Sequence, residues 1–435
     1  MAQKSPQKPN VDTLTVTLQS KFVHVDTKGQ WLTGWPLGPM VKSATVEFVP
    51  LGVKATSDGM GKAVLDASKL KNGSYTLRLT PAAANTWEEK KAGTYGSDTK
   101  MTARYRPVDL TLTVSRDGDK LEVTEVEVPD TASREVIVTA TGRTLVVDWR
   151  PAWLASPNRR KRPPTAAVSI VVLHRTGEAP IGSPINTFMG GGKTSAHYLV
   201  DTNGHCVNLV PETERAAHSG TSWWDGADDV NDISIGIEIV NKVGDFPDAQ
   251  YEGLINLLIG ISNRHAGVSR HRILAHSDVR VSETSLALSS ERGVCPGPNF
   301  EWTRLMDVEV SSMPDAQLFE EKKIDDAYGS FFKDNPKGKL SNNQQDKNLV
   351  NPVTKKSYGV IEELQQDLST IGYSIHAKDG VTTTGIFDTA TQAAVDRFRR
   401  HFMSGLVKLT GNIDPTFDRA TAIALKRVLL DRATE

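Results

Sequence analysis

Two histidines and one cysteine, residue types that commonly bind metal ions, occupy notable positions in the sequence. The histidines each follow an apolar segment, and the cysteine lies in a tight loop. His174 directly follows the apolar residues 166–173, and His276 directly follows Ile273–Ala275. Cys295 lies in a loop rich in glycine and proline. Two imidazoles and a thiolate are good ligands of Zn²⁺, and a catalytic zinc keeps its fourth position open for water. The three side chains are therefore a candidate zinc site.

The candidate acid–base group is Glu238, which lies inside the apolar residues 235–239. A buried carboxylate without a partner is costly, so a glutamate there needs a partner or a chemical role. Beside zinc-activated water it can act as general base and then as general acid. Spacing alone does not separate metal binding from a structural role for the two histidines and the cysteine. A lone cysteine is usually a small buried residue, and a lone histidine is commonly a packed structural residue.

The elements that must position these residues alternate between strand and helix. Residues 166–173 and 233–240 predict buried strands, and Asn203-Gly204 predicts a hairpin turn. Pro247 begins a periodic segment that ends before Gly267, which is typical of a helix. We therefore expect a mixed α/β domain over residues 156–320.

Length and composition limit the remaining possibilities. The chain has 435 residues, which at roughly 150 residues per domain indicates about three domains. Its formal net charge of −1 argues against a nucleic-acid-binding protein, and two cysteines cannot form a disulfide scaffold. The apolar runs are shorter than the roughly 18 residues of a membrane span, and residues 1–10 lack the apolar core of a Sec signal. We expect a soluble, multidomain protein.

The first third of the chain is predicted to be all β. Alternating segments separated by turn signals indicate an immunoglobulin-like sandwich over residues 1–155, with an adaptor or binding role. A basic, proline-rich stretch at residues 156–165 is predicted to be a linker. A second linker is predicted at residues 321–356, where residues 333–356 are rich in Lys, Asn, Gln and Asp.

Several segments resemble the zinc-dependent N-acetylmuramoyl-L-alanine amidases of the type-2 family and follow one another in the family's order. They are residues 171–174, 194–201, 217–220, 231–238, 275–278 and 295–302. The resemblance implies that His174, His276 and Cys295 are the zinc ligands. It also implies that Glu238 is the catalytic glutamate.

Three more residues are candidates at the border of this site. His218 matches a family segment near the substrate groove, and His197 precedes a predicted strand; substrate binding or packing is open for both. The family commonly has a lysine two residues before the third ligand, where this chain has Gly293. Arg292 is therefore the candidate that stabilises negative charge on the reacting oxygen.

The C-terminal residues 357–435 have helical periodicity, with Leu364, Leu368 and Ile371 on one face. This segment resembles the three-helix peptidoglycan-binding domain that is attached to many wall hydrolases. For Phe387 and Phe398 we favour core packing over ligand contact. A tethered binding module would raise the local concentration of the enzyme at an insoluble wall.

These features predict a peptidoglycan hydrolase that uses zinc-activated water to cleave the amide between N-acetylmuramic acid and L-alanine. Two alternatives are a non-catalytic peptidoglycan recognition protein and a cytoplasmic amidase that recycles muropeptides. We expect action on the cell wall, in the periplasm or outside the cell, without a Sec signal peptide. Delivery would then use a specialised secretion system, a phage particle or lysis, with the N-terminal domain docking to a delivery partner.

Overall fold

The computed structural model describes residues 12–20, 40–89, 99–178, 181–189, 193–281, 294–312, 327–375, 383–404 and 414–434. The strands are β1 Thr13–Gln19, β2 Thr45–Phe48, β3 Val53–Thr56, β4 Lys62–Asp66, β5 Gly73–Thr80, β6 Asn85–Glu89, β7 Thr99–Arg104, β8 Val108–Asp117, β9 Lys120–Glu127, β10 Val136–Thr141, β11 Thr144–Trp149, β12 Trp153–Leu154, β13 Arg159–Lys161, β14 Ile170–Arg175, β15 Tyr198–Val200, β16 Cys206–Asn208, β17 Glu214–Ala216, β18 Ser234–Ile239 and β19 Ile273–Ala275. The helices are α1 Gly182–Met189, α2 Asp248–Arg264, α3 His276–Val279, α4 Thr303–Met306, α5 Ala327–Asp334, α6 Val360–Ile371, α7 Thr389–Phe402 and α8 Arg419–Thr434.

The chain divides into two compact units. The first comprises Met1–Asn158, Glu178–Gly192 and Asn203–Leu209, and the second comprises Arg159–Gly177, Lys193–Thr202 and Val210–Glu435. No helix in the described ranges combines the length and the apolarity needed to cross a bilayer.

The first unit is built mainly from β-sheets. One sheet has the strand order β10-β11-β1-β4, and another has the order β3-β2-β5-β8-β9. Alternate side chains are buried, including Leu14, Val16 and Leu18 of β1. This period of two gives each strand one apolar face and one solvated face. A further set of hydrogen-bonded strands has the order β16-β12-β7-β6.

Two turns in this unit show how glycine sets strand boundaries. An Asp117-Gly118 turn joins β8 to β9, with Asp117 opposite Lys120. Residues 136–147 alternate throughout but form parts of two strands, because the chain turns at Gly142 and pairs Thr141 with Thr144. Gly142 has a φ of 56°, a left-handed conformation that glycine adopts at no steric cost.

The second unit contains the parallel strands β19-β14-β18-β15. Its central strand β14 is buried from Ile170 to His174, as expected for a parallel strand covered on both faces. His174 therefore lies inside the strand, whereas the sequence predicted it just after the strand's end. Helix α2 begins after Pro247 as predicted and buries Tyr251 and Leu254.

The predicted linker at residues 156–165 is a structured segment from Arg159 onward. Strand β13 pairs antiparallel with β17. The Arg162 guanidinium donates hydrogen bonds to the backbone carbonyls of Glu212, Asn231, Asp232 and Ser234. Composition alone does not reveal this, because a basic residue can be solvated or can satisfy carbonyl groups of the fold.

The predicted linker at residues 321–356 is also folded over its described part. Helix α5 buries the aromatic rings of Tyr328, Phe331 and Phe332 in a hydrophobic core that includes residues of α6 and α8. The polar composition of the following residues does not reveal these three aromatic side chains, which anchor the segment.

The C-terminal helices α6, α7 and α8 share one hydrophobic core with the parallel sheet. Leu364 and Phe398 belong to the same buried cluster as Val172 of β14 and Leu274 of β19. Phe387 and Phe398 are 1% and 0% exposed, so the prediction of core packing is confirmed. These helices are therefore part of one folded body with the sheet, and the predicted tether between them is corrected.

Candidate metal centre

The carboxyl ends of three parallel strands bring the candidate residues together. His174 of β14 and Glu238 of β18 are direct neighbours across the strand pair. Leu173 is the neighbour of Ala275, so His276, the first residue of α3, emerges at the same edge of the sheet. Parallel pairing places residues far apart in sequence side by side, because the same ends of the strands align.

Cys295 completes the group from a loop after α3. Its Sγ accepts a hydrogen bond from the Arg175 backbone N–H at 3.2 Å, and its carbonyl accepts one from Ser277 at 3.1 Å. Three possible ligand atoms lie within 4.8 Å of one another, one each from His174, His276 and Cys295. Two histidine nitrogens and one cysteine sulfur grouped at this distance are a donor set that could hold a zinc ion.

Both ligand histidines have a partner behind the ring, and for His276 that partner selects the nitrogen that can face a metal. His276 Nε2 lies 3.2 Å from the Ser219 carbonyl, which only accepts, so Nε2 carries the proton. His174 Nε2 lies 3.1 Å from His218 Nδ1, and His218 Nε2 lies 3.1 Å from Ser234 Oγ. For His276 this leaves Nδ1 for a metal. His218 Nδ1 also lies 3.0 Å from Ser219 Oγ, so the contacts behind His174 form a connected set of partners of the kind that surrounds metal ligands.

Glu238 has the environment of a group that exchanges protons. Its Oε2 is buried and has no hydrogen-bond partner within the described part of the chain. Burial raises the pKa of Glu238 to about 8, because removal from water penalises the charged form. An unsatisfied buried carboxyl oxygen needs an explanation, and a neighbouring cation with its bound water provides one.

Burial also sets the protonation of the three ligand side chains. It lowers the pKa of His174 well below its ordinary value and that of His276 to about 4, so both imidazoles are neutral. Burial raises the pKa of the Cys295 thiol to about 12. Neutral imidazoles are ready to bind, whereas the thiol must lose its proton when a cation arrives.

The comparisons with known proteins agree with this geometry. The family model described as N-acetylmuramoyl-L-alanine amidase matches residues 164–298, which include the ligand trio and Glu238. The 1,6-anhydro-N-acetylmuramyl-L-alanine amidase AmpD of Salmonella typhimurium is 30% identical over 169 residues, which are 34% of this chain and 84% of that protein. The chain belongs to the N-acetylmuramoyl-L-alanine amidase family. The amidase is therefore a hydrolase that acts on peptidoglycan.

Further relatives extend the comparison. A peptidoglycan binding domain model matches residues 359–417 of the amidase. The N-acetylmuramoyl-L-alanine amidase AmiD of Escherichia coli K12 is 32% identical over 167 residues, 34% of this chain and 56% of AmiD. The solved complex of AmiD with anhydro-N-acetylmuramic acid-L-Ala-D-gamma-Glu-L-Lys is 23% identical, covers 63% of this chain and 95% of AmiD, and has a TM-score of 0.43.

His197 does not have the position that substrate binding requires. Its side chain is 0% exposed. Nδ1 accepts the Gly236 N–H at 2.9 Å, and Nε2 lies 3.0 Å from the Glu214 carbonyl. Burial, followed by the charge of Arg162, lowers the pKa of His197 to about 3. The structure therefore corrects the substrate-binding prediction: His197 joins backbone segments of the amidase fold.

His218 lies next to the ligands, and its contacts are with protein groups. It packs against Gly236, where an added Cβ would lie 2.3 Å from the His218 ring. Its Nδ1 lies near His174 Nε2 and Ser219 Oγ, and its Nε2 lies near Ser234 Oγ. These contacts assign His218 a place behind a metal ligand, and substrate binding stays a prediction for it.

The arginines that act on the site in the structure differ from the one predicted from the sequence. Arg292 lies outside the described residues. Two arginines that the sequence analysis did not single out, Arg175 and Arg280, act electrostatically on Cys295, and Arg280 also acts on His276. Arg175 directly follows His174 and Arg280 ends the helix that begins at His276, so proximity to the ligands along the chain is the signal that could have identified them.

Proposed function

We propose that His174, His276 and Cys295 hold a zinc ion and that Glu238 is the catalytic acid–base group of the amidase. The observation that carries the proposal is the ligand trio beside a buried carboxyl oxygen with no partner in the described chain. Two nitrogens and one sulfur are a preferred donor set for zinc, and three protein ligands are typical of a catalytic site.

His174, His276 and Cys295 would hold the zinc ion, which would supply Lewis acidity for water and for the carbonyl of the lactyl amide. The nearby positive charge also favours the ionised form of Glu238 over the neutral form that burial alone would favour. Glu238 then accepts a proton from the attacking water. It returns the proton to the amine of L-alanine as the stem peptide leaves the glycan.

The residues behind the ligands keep each imidazole in a productive form. With a metal on Nδ1, His174 would donate through Nε2 to His218 Nδ1, and His218 would donate through Nε2 to Ser234 Oγ. The Ser219 carbonyl accepts from Nε2 of His276 and so keeps the proton there. Such outer partners orient ligands and raise their basicity, so we assign these residues a positioning role.

Negative charge that develops on the amide oxygen needs a positive group besides the metal. Arg292 remains our proposal for this role by its place in the chain. Arg280, exposed at the end of α3 and acting electrostatically on His276 and Cys295, is a second candidate. A well-placed donor of this kind typically contributes about 3 kcal/mol to transition-state stabilisation.

We further propose that the substrate is the polymeric cell wall, reached in the periplasm or outside the cell. The peptidoglycan binding domain match over residues 359–417 supports this. In this proposal the C-terminal helices form a three-helix domain that binds the wall. The N-terminal part forms an immunoglobulin-like sandwich that docks to a delivery partner. The second candidate is recycling of soluble muropeptides, which the name of the AmpD relative supports for that protein.

The two substrates can be compared directly. Zinc-loaded protein is incubated with purified sacculi and, separately, with a soluble anhydromuropeptide, and released stem peptides are quantified by mass spectrometry. Faster release from sacculi at equal concentrations of stem peptide supports the wall as substrate. Release from the soluble compound alone would replace it with the recycling function. Binding to sacculi without release from either substrate would support the recognition protein.

A further inference from the structure

The carboxylate of Asp278 connects the ligand helix α3 to the C-terminal helices. Asp278 lies two residues after the ligand His276 and is fully buried. Its Oδ2 accepts the Ala275 backbone N–H at 2.8 Å, which fixes the turn where strand β19 ends and α3 begins. The same oxygen lies 2.8 Å from His401 Nδ1, and Oδ1 accepts the Tyr373 hydroxyl at 2.9 Å.

Both outer donors come from the C-terminal segment that shares the core of the sheet. His401 belongs to α7, and Tyr373 follows the end of α6. A carboxylate only accepts hydrogen bonds, so His401 donates through Nδ1 and Tyr373 through its hydroxyl. Without these donors, Asp278 would keep the Ala275 N–H and its electrostatic interaction with the buried Arg397, and the loss of two hydrogen bonds to a buried charge would be costly.

Packing holds the two donors in place. The His401 ring lies 3.8 Å from the Trp302 ring and 4.1 Å from the Phe402 ring, measured between centroids. The Tyr373 ring meets Trp224 edge to face at 5.0 Å. Gly372 is required beside Tyr373, because a Cβ there would lie 2.5 Å from Trp224. These contacts make the donors rigid, which is what precise positioning of another group requires.

We propose that Tyr373 and His401 are positioning residues of the amidase, which act through Asp278 to orient the metal ligand His276. The C-terminal helices thereby contribute to the metal centre in addition to any contact with the wall. This inference rests on the proposed zinc site. It is separate from the wall-binding role of the C-terminal segment, because its contacts lie in the protein interior.

A purely structural role for the same residues has a different signature. If the hydrogen bonds only stabilise the fold, their loss lowers Tm and leaves the zinc affinity of the folded protein unchanged. If they orient His276, their loss weakens zinc binding and lowers kcat, while KM stays the same. Groups beyond the ligands commonly change metal affinity or activity 10- to 100-fold, and a more distant donor is expected to change it about 3- to 10-fold.

The test uses the full-length protein and variants that each remove one donor. Tyr373→Phe removes only the hydroxyl, and His401→Phe keeps an aromatic ring against Trp302. His401→Asn restores a donor near the position of Nδ1 and is the rescue variant. The matched control is Tyr328→Phe, because the fully buried Tyr328 donates to Asp367 of α6 at 2.8 Å in the same core.

Zinc Kd is measured by competition with a fluorescent chelator, and Tm is measured with and without zinc. We expect Tyr373→Phe and His401→Phe to weaken zinc binding about 3- to 10-fold, with partial recovery in His401→Asn. Tyr328→Phe should lower Tm with zinc Kd unchanged within about twofold. Equal zinc Kd in all folded variants would overturn the inference. If His401→Phe does not fold, the comparison of Tyr373→Phe with Tyr328→Phe decides.

The outcome is independent of the proposed enzymatic function. If the parent protein binds zinc and releases no stem peptide, the proposed function fails, and zinc Kd in the variants still tests the positioning role. If the variants leave zinc Kd and kcat unchanged while the parent is active, the positioning inference alone fails.

Discussion

Two carboxylates near the candidate metal ligands have opposite surroundings. Glu238, beside His174 in the sheet, has an Oε2 without a partner in the described chain, and its pKa is raised to about 8. Asp278, close to His276, is contacted by a backbone amide, a tyrosine hydroxyl and a histidine. A carboxylate without donors is available to exchange protons, whereas one surrounded by donors anchors the structure.

The largest effect should come from the carboxylate without a partner. Glu238→Gln keeps the shape of the side chain and removes the acid–base group, so we expect stem-peptide release to fall about 1,000-fold. Zinc Kd should change much less than the rate, because Glu238 acts on the ion only through its charge and is not one of the proposed ligands. Initial rates on sacculi and chelator competition measure the two quantities.

Glu252→Gln is the matched control for that change, because Glu252 is an exposed carboxylate on α2. It should leave both the rate and zinc Kd unchanged. Full activity of Glu238→Gln would show that Glu238 is not the acid–base group. The two carboxylates would then not differ in the way proposed.

The second effect concerns the anchored carboxylate. Asp278→Asn replaces an acceptor with a group that cannot accept from all three donors. We expect zinc affinity to fall about 10- to 100-fold and the free energy of unfolding to fall by about 3 kcal/mol. Chelator competition and urea denaturation measure these changes. Lost activity with zinc affinity unchanged would mean that Asp278 acts on the reaction by another route.

A smaller effect is expected from crowding the group behind His174. In Gly236→Ala the new Cβ would lie 2.3 Å from the His218 ring, so the ring must leave the position in which it contacts His174. We expect zinc affinity to fall about tenfold. Gly59→Ala is the control, because its Cβ would meet nothing within 4 Å. Identical zinc Kd in both variants would show that His218 does not position His174.

The smallest effect is a pH dependence of the metal-free protein. Burial raises the pKa of Glu238 from an ordinary 4.5 to about 8, so the folded state binds more protons than the unfolded state between these values. Stability should therefore fall as pH rises from about 4.5 to about 8. Tm in the presence of EDTA should decline less steeply for Glu238→Gln. Parallel Tm curves for both proteins would contradict the assigned burial of this carboxyl group.

The sequence was sufficient to predict which residues the fold brings together as the candidate metal centre. His174, Glu238 and His276 each adjoin or lie inside apolar strands, and parallel pairing brings strand ends together whatever their spacing along the chain. The parallel register of β14 with β18 and β19 places these side chains at one edge of the sheet. Family motifs identified Cys295, which no periodic pattern singles out.

The anchoring of the ligand helix could not be predicted from the sequence. Tyr373 and His401 are 95 and 123 residues away from Asp278, and no local pattern links residues at such separations. The polar linkers predicted at residues 156–165 and 321–356 fail for a related reason. Arg162 and Tyr328 hold these stretches through tertiary contacts, which composition does not record.

The central claim is that zinc at the ligand trio and Glu238 together cleave the bond between N-acetylmuramic acid and L-alanine. Mass spectrometry of the products from purified sacculi tests it most directly, with the zinc-loaded protein, the chelated protein and Glu238→Gln compared. We predict stem peptides with a free N-terminal L-alanine from the zinc-loaded protein and almost none from the other two. Equal release by Glu238→Gln or by the chelated protein would contradict the claim.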